Sequence, residues 1–65
     1  MGERLWRATR GGVCAGFVVG ESGRVISFAP VLRKFIAGLR EDLALRCLRG
    51  GGFLVERVRE GDADA

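Results

Sequence analysis

The rhythm of apolar and polar positions changes repeatedly along this chain, and each change marks an element. Leu5-Trp6-Arg7-Ala8-Thr9-Arg10 alternates with a loose period of two, which sets Leu5, Arg7 and Thr9 on one face of a strand and Trp6, Ala8 and Arg10 on the other. Gly11-Gly12 punctuates. Val13-Cys14-Ala15-Gly16-Phe17-Val18-Val19 is β-branched and aromatic on both faces, the pattern of a central strand covered on each side. Gly20-Glu21-Ser22-Gly23 reads as a turn, and Arg24-Val25-Ile26-Ser27-Phe28 returns as the hairpin partner. Gly16 is expected to leave room for a large neighbour, Trp6 or a helix backbone.

Pro30 ends that strand and suits the first position of a helix. Val31, Leu32, Phe35, Ile36 and Leu39 then recur at helical spacing, interrupted by Gly38. Two versions remain open: one kinked helix from Pro30 to Arg49, or a short helix ending near Gly38 and a second starting around Arg40. Glu41 and Asp42 suit a helix start and Arg46 and Arg49 a helix end, which favours two helices. In both versions Leu39, Leu43, Cys47 and Ile36 are expected to face inward. Gly50-Gly51-Gly52 closes the helix with a left-handed cap, and Phe53-Leu54-Val55-Glu56-Arg57-Val58 is a last strand.

The order β-β-β-α-β describes a small α+β domain, a mostly antiparallel sheet with helix packed on one face. Residues 1–4 are expected to be a flexible lead, 5–58 a single domain, and 59–65 a disordered acidic tail. A chain of 65 residues buries only about 60% of the surface it exposes when unfolded, so it needs support beyond its own core. The uncovered sheet face, carrying Trp6 and Val18, points to a homo-oligomer, a dimer or higher.

Charge changes this picture in one respect. Ten arginines stand beside a single lysine, and eleven cations against five carboxylates over residues 1–59 leave that body at +6, against +3 for the whole chain. Arg, Gly, Ala and Val are favoured together by GC-rich coding, which accounts for part of the excess. A guanidinium is nevertheless a permanent cation with a fork of donors that fits carboxylates and phosphates. No stretch approaches the roughly 20 apolar residues of a membrane span, and no membrane partner is expected. Without a secretory leader the expected location is the cytoplasm, where Cys14 and Cys47 stay reduced and buried.

Catalytic chemistry finds little material. There is no histidine, so Cys14 has no base to activate it, and two cysteines are too few for a zinc site. Every carboxylate falls on a turn or an exposed position. Neither an enzyme, a metal site nor a cofactor is expected. Gly11 to Gly16 resembles a phosphate loop only superficially, since no Lys-Ser or Lys-Thr follows and the next element reads as a strand. Better candidates for an anion are Thr9, Arg10 and Arg33, with Arg7 and Arg24 in support, gathered near the free amides of a helix starting at Pro30.

Ala8-Thr9-Arg10, then Cys14-Ala15-Gly16-Phe17-Val18-Val19, then Val25-x-x-Phe28-Ala29-Pro30-Val31-Leu32-Arg33 resembles a group of very small bacteriophage proteins. Those proteins carry a Thr-Arg pair, a Cys-Ala-Gly-apolar strand and an Ala-Pro-Ile-Leu turn into helix. Leu48-Arg49-Gly50 followed by Phe53-Leu54-Val55-Glu56 is similar to their C-terminal part, so the likeness covers about residues 5–58. This chain departs from them in placing Gly11-Gly12 where they carry aromatics. The resemblance implies a phage or prophage origin and a host-cell cytoplasmic role. Such a role is expected of a non-enzymatic binding protein that modulates a host process, counter-defence included, by sequestering an anionic nucleotide-like ligand or blocking a host protein. The alternatives are a nucleic-acid-binding module using the arginine face, for which charge alone speaks, and a structural or assembly component.

Overall fold

A computed structural model describes residues 2–58, and the expected acidic tail lies outside them. Strands β1 (Arg4–Arg10), β2 (Val13–Val19), β3 (Val25–Phe28) and β4 (Leu54–Val58) form one antiparallel sheet in the order β3-β2-β1-β4. Between β3 and β4 a 3-10 turn (Pro30–Leu32) runs into a single helical turn, α1 (Arg33–Ile36), followed by α2 (Glu41–Gly50). This is the α+β domain read from the sequence, in its two-helix version. β1 starts at Arg4, a residue the sequence pattern assigns to the lead.

Local chemistry explains the joints. Gly11 and Gly12 both hold positive φ, 54° and 86°, which the tight two-residue β1–β2 hairpin requires and a side chain would resist. At the end of α2, Phe53 N–H donates to Leu48 O at 2.9 Å and Gly52 N–H to Arg49 O at 3.0 Å, with Gly52 left-handed. These two bonds make a Schellman cap, and the buried Phe53 and Leu48 supply its hydrophobic contact. α2 begins against the β2–β3 turn: Glu41 N–H donates to Gly23 O at 2.8 Å, and Val25 N–H to Leu39 O at 2.9 Å.

Both helices pack on one face of the sheet. Between them and the strands lie Ala8, Ala15, Phe17, Val19, Val25, Leu32, Ile36, Ala44, Leu48 and Phe53, all buried. Burial of these side chains is the main favourable term for a chain this small. Ala8 and Ala15, directly opposed in the register, give the helices a shallow floor. Trp6 belongs to this backed face, stacked 6.3 Å from Phe17 in the neighbouring strand, and not to the open face assigned to it from the sequence.

The inward face of α2 also differs from expectation. Ala44 and Leu48 are buried, while Leu43 and Cys47 are exposed. Gly38, at φ 75°, breaks the helical phase carried from Ile36, and α2 takes a new phase from Glu41, whose side chain is drawn towards β1. Residues 41, 44, 45 and 48 then face the sheet, as the helical period demands.

The other face of the sheet is bare among the described residues. From the register its side chains form rows across β2, β1 and β4: Val18, Leu5 and Val58; then Gly16, Arg7 and Glu56; then Cys14, Thr9 and Leu54. β2 is therefore central in the sheet but covered on one side only. Gly16 points to this open face, away from Trp6 and the helices, and its carbonyl accepts from Ala29 N–H at 3.0 Å. Cys14 and Cys47 are both free and both exposed rather than buried, one on the open face and one on the helical layer. The sheet separates them, so they are not placed to bridge.

Candidate functional site

The residues expected to form an anion pocket are dispersed. Thr9 and Arg10, as neighbours on β1, point to opposite faces. Arg10 reaches over the end of α2, donates to Gly51 O at 2.6 Å, and sets its guanidinium 4.5 Å from the Phe53 ring and 5.8 Å from the Phe35 ring. Arg7 lies on the open face and donates to Glu56 Oε1 at 2.6 Å, an exposed pair worth little to stability. The hydrogen bond and charge of Glu56 hold the Arg7 guanidinium above its ordinary pKa. Arg24 donates to Gly38 O at 3.2 Å beside the start of α2. Arg33 is exposed on α1.

The backbone donors expected near Pro30 are used internally. Ala29 N–H serves Gly16 O, Leu32 N–H serves Ala29 O at 2.9 Å, and Arg33 N–H serves Pro30 O. The 3-10 turn folds its own amides inward, so this segment does not present the donor set that a longer helix would offer an anion.

One side-chain cluster escaped the sequence reading, which had placed every carboxylate in the open. Glu41 is half-buried at the start of α2. Its Oε2 accepts from Arg4 Nε at 3.0 Å and from Trp6 Nε1 at 2.8 Å, and its Oε1 accepts from Arg4 Nη2 at 2.9 Å. The Arg57 guanidinium stands 6.0 Å from the Trp6 ring. Burial alone pushes the Glu41 carboxyl up, but the hydrogen bonds from Arg4 and Trp6 and the charges of Arg4 and Arg57 outweigh it, so its pKa lies below the ordinary value. A carboxylate held ionised, with its lone pairs in use, is a fastener and a poor general acid or base. The signal available in sequence was the acidic residue in the first turn of a helix; its partners 35 and 37 residues away carry no local mark.

Charge on the helical layer is distributed differently from charge on the sheet. Arg4, Arg7, Arg10 and Arg24 are bonded within the fold, and Arg57 on β4 is exposed beside the Trp6 ring. Arg33, Lys34, Arg40, Arg46 and Arg49, all exposed on the segment from α1 through α2, have no carboxylate within salt-bridge reach among the described residues. The carboxylates of that segment are Glu41, already bonded to β1, and Asp42. From Arg40 to Arg49 the cations extend about 13 Å along the helix. Nine residues apart, Arg40 and Arg49 stand about half a turn from each other around the helix, with Asp42 one turn before Arg46, so the cations are spread over the outer surface of the segment rather than gathered into a pocket.

Among the described residues no group of three or more His, Cys, Asp or Glu side chains is placed to hold a metal ion, and no helix is long and apolar enough to cross a membrane. Comparison with protein-family models, with curated proteins and with solved structures returns no match to this chain.

Proposed function

We propose that this chain is a non-enzymatic binding protein whose working surface is the outer side of the helical layer and whose partner is an extended polyanion, the phosphate backbone of a nucleic acid. The observation that carries this reading is the five exposed cations of that layer, Arg33, Lys34, Arg40, Arg46 and Arg49, without salt-bridge partners among the described residues. Over the about 13 Å between Arg40 and Arg49, duplex DNA presents about eight phosphate charges, more than the three cations of that span can engage. A compact nucleotide has fewer charges and calls for a concave site, while these side chains line a convex helix. The aromatic of that segment, Phe35, is half-buried edge-on against Phe53, so the cations offer no ring for stacking on bases and the binding is independent of sequence. Sequestering an anionic host component in this way is the form that the phage-type role implied by the resemblance takes here.

The test is a fluorescence anisotropy titration of a labelled oligonucleotide duplex over a salt series. Log affinity is expected to fall with log salt at a slope of about −4, and Arg46→Ala or Arg49→Ala to flatten it by about 1 each. Absence of binding at low salt, or a slope indifferent to both substitutions, refutes the reading.

A second reading, blocking of a host protein, is favoured by a different observation. Leu5 and Leu54 on the open sheet face are 44% and 75% exposed, and apolar surface of that kind marks protein contacts.

A further inference from the structure

The open face of the sheet plays no part in polyanion binding, yet it leaves apolar side chains in contact with water. Leu5 and Leu54 stand exposed on it, Val18 and Val58 half-buried, and the charges among its described strand residues are one cation and one anion, Arg7 and Glu56, joined at 2.6 Å in the middle row. We propose that this face is covered by a second copy of the same chain, in a weak symmetric dimer that places the two sheets face to face.

The choice of occupant rests on charge. A highly charged partner gains nothing from a surface whose two charges cancel. A wholly apolar partner would strip water from Arg7 and Glu56 and leave each with a single counter-ion, an unfavourable burial. A second copy supplies the missing charges in the right places. Rotation about a twofold axis parallel to the strands, between β1 and β4, lays β1 of each copy over β4 of the other. Because Arg7 pairs with Glu56 and Leu5 with Val58 in the register, that rotation sets Arg7 over Glu56 and Leu5 over Val58 of the second copy. Four alternating charges then form a closed ring at the centre. Packed antiparallel sheets tolerate a rotation of about 30° between their strands, which the twist of each sheet supplies.

Area sets the strength. Two strands about 20 Å long and about 4.8 Å apart offer a few hundred Å² per copy, below the about 800 Å² per partner of a standard stable interface. The dimer is therefore weak and concentration-dependent. Its two basic helical layers face outward on opposite sides.

Sedimentation equilibrium of the full chain from about 10 μM to 1 mM, together with two charge variants, tests the proposal. Arg7→Glu leaves two acids in the middle row and Glu56→Arg leaves two bases. Both positions are exposed, so each variant keeps the fold, as its circular dichroism checks. The wild type is expected to dimerise, each variant alone to remain monomeric, and an equimolar mixture of the two to form a one-to-one complex. A wild type that stays monomeric up to 1 mM, or a mixture that fails to associate, overturns it. The oligonucleotide titration reads the helical layer independently. Oligonucleotide binding by a monomeric wild type would remove the dimer alone, and a dimer indifferent to oligonucleotide would remove the polyanion reading alone.

Discussion

Glu41→Ala unfastens α2 from β1, and its cost can be built from the bonds it removes. The Trp6 indole N–H loses its acceptor in a half-buried setting; a stranded donor costs about 1–3 kcal/mol, and partial access to water sets this one near 1. Arg4 loses a two-pronged partner where the side chains are 32% and 25% exposed, worth about 1 kcal/mol. Removing a negative charge from the first turn of α2 adds about 0.5 kcal/mol. The total, about 2–3 kcal/mol, is large for a chain whose whole stability is on the order of 3–10 kcal/mol. Urea unfolding at pH 7 followed by far-ultraviolet circular dichroism measures it, and with a slope near 1 kcal/mol per molar the midpoint falls by about 2–3 M. Glu41→Gln, which keeps an acceptor for Trp6, should lose about half as much. Arg4→Ala combined with Glu41→Ala should show a coupling of about 1 kcal/mol. A midpoint change under about 0.5 M for Glu41→Ala would refute the claim that this carboxylate docks the helix.

Acid should act at the same joint: because the Glu41 pKa is lowered in the folded state, its contribution is complete above the ordinary value of 4.5 and fades as pH falls through the folded value, so the stability gap between wild type and Glu41→Gln should close below about pH 4.5 in parallel urea titrations. Arg10→Ala removes the bond to Gly51 and the guanidinium over Phe53, and is expected to lower stability by about 1–2 kcal/mol, read as a lower thermal midpoint. Gly12→Ala forces a side chain into φ 86° and should cost about 1–2 kcal/mol by the same measurement, although nothing lies within 4 Å of the added carbon. Phe17→Ala empties the centre of the core and should cost about 3–5 kcal/mol, leaving the chain largely unfolded at 37 °C by circular dichroism.

The strands were legible because alternation and glycine punctuation are local signals: Gly11-Gly12 and the Gly20–Gly23 turn mark their own ends, and the structure pairs β2 with β3 as the pattern required. The break at Gly38 was legible too, with the charges of Glu41 and Arg49 at the ends of α2. The phase of α2 was not. Leu43 and Cys47 continue the period set by Ile36, but the helix restarts after Gly38 with Glu41 bonded to Arg4 and Trp6, and Ala44 and Leu48 face inward instead. The exposure of Cys14 and Cys47 follows from the same cause in one case and from an uncovered sheet face in the other. For the anion site, charge counts showed how many cations there are but not which are bonded. Arg10 and Arg24 cap backbone carbonyls, a use that composition does not reveal, whereas Arg46 and Arg49, read from sequence as helix-end charges, are left exposed.

The bond between Trp6 and Glu41 makes the molecule its own spectroscopic reporter. The chain has one tryptophan and no tyrosine, so its near-ultraviolet emission comes from a single indole without energy transfer from phenols. That indole is stacked against Phe17 on one strand, bonded to the first turn of α2 and approached by the Arg57 guanidinium. Its colour and intensity therefore register the seating of α2 on the sheet, while peptide-bond absorption registers helix and strand content as a whole. If α2 lifts away before the sheet dissolves, emission will shift at a lower denaturant concentration than ellipticity does. If the domain unfolds as one unit, the two curves will superimpose.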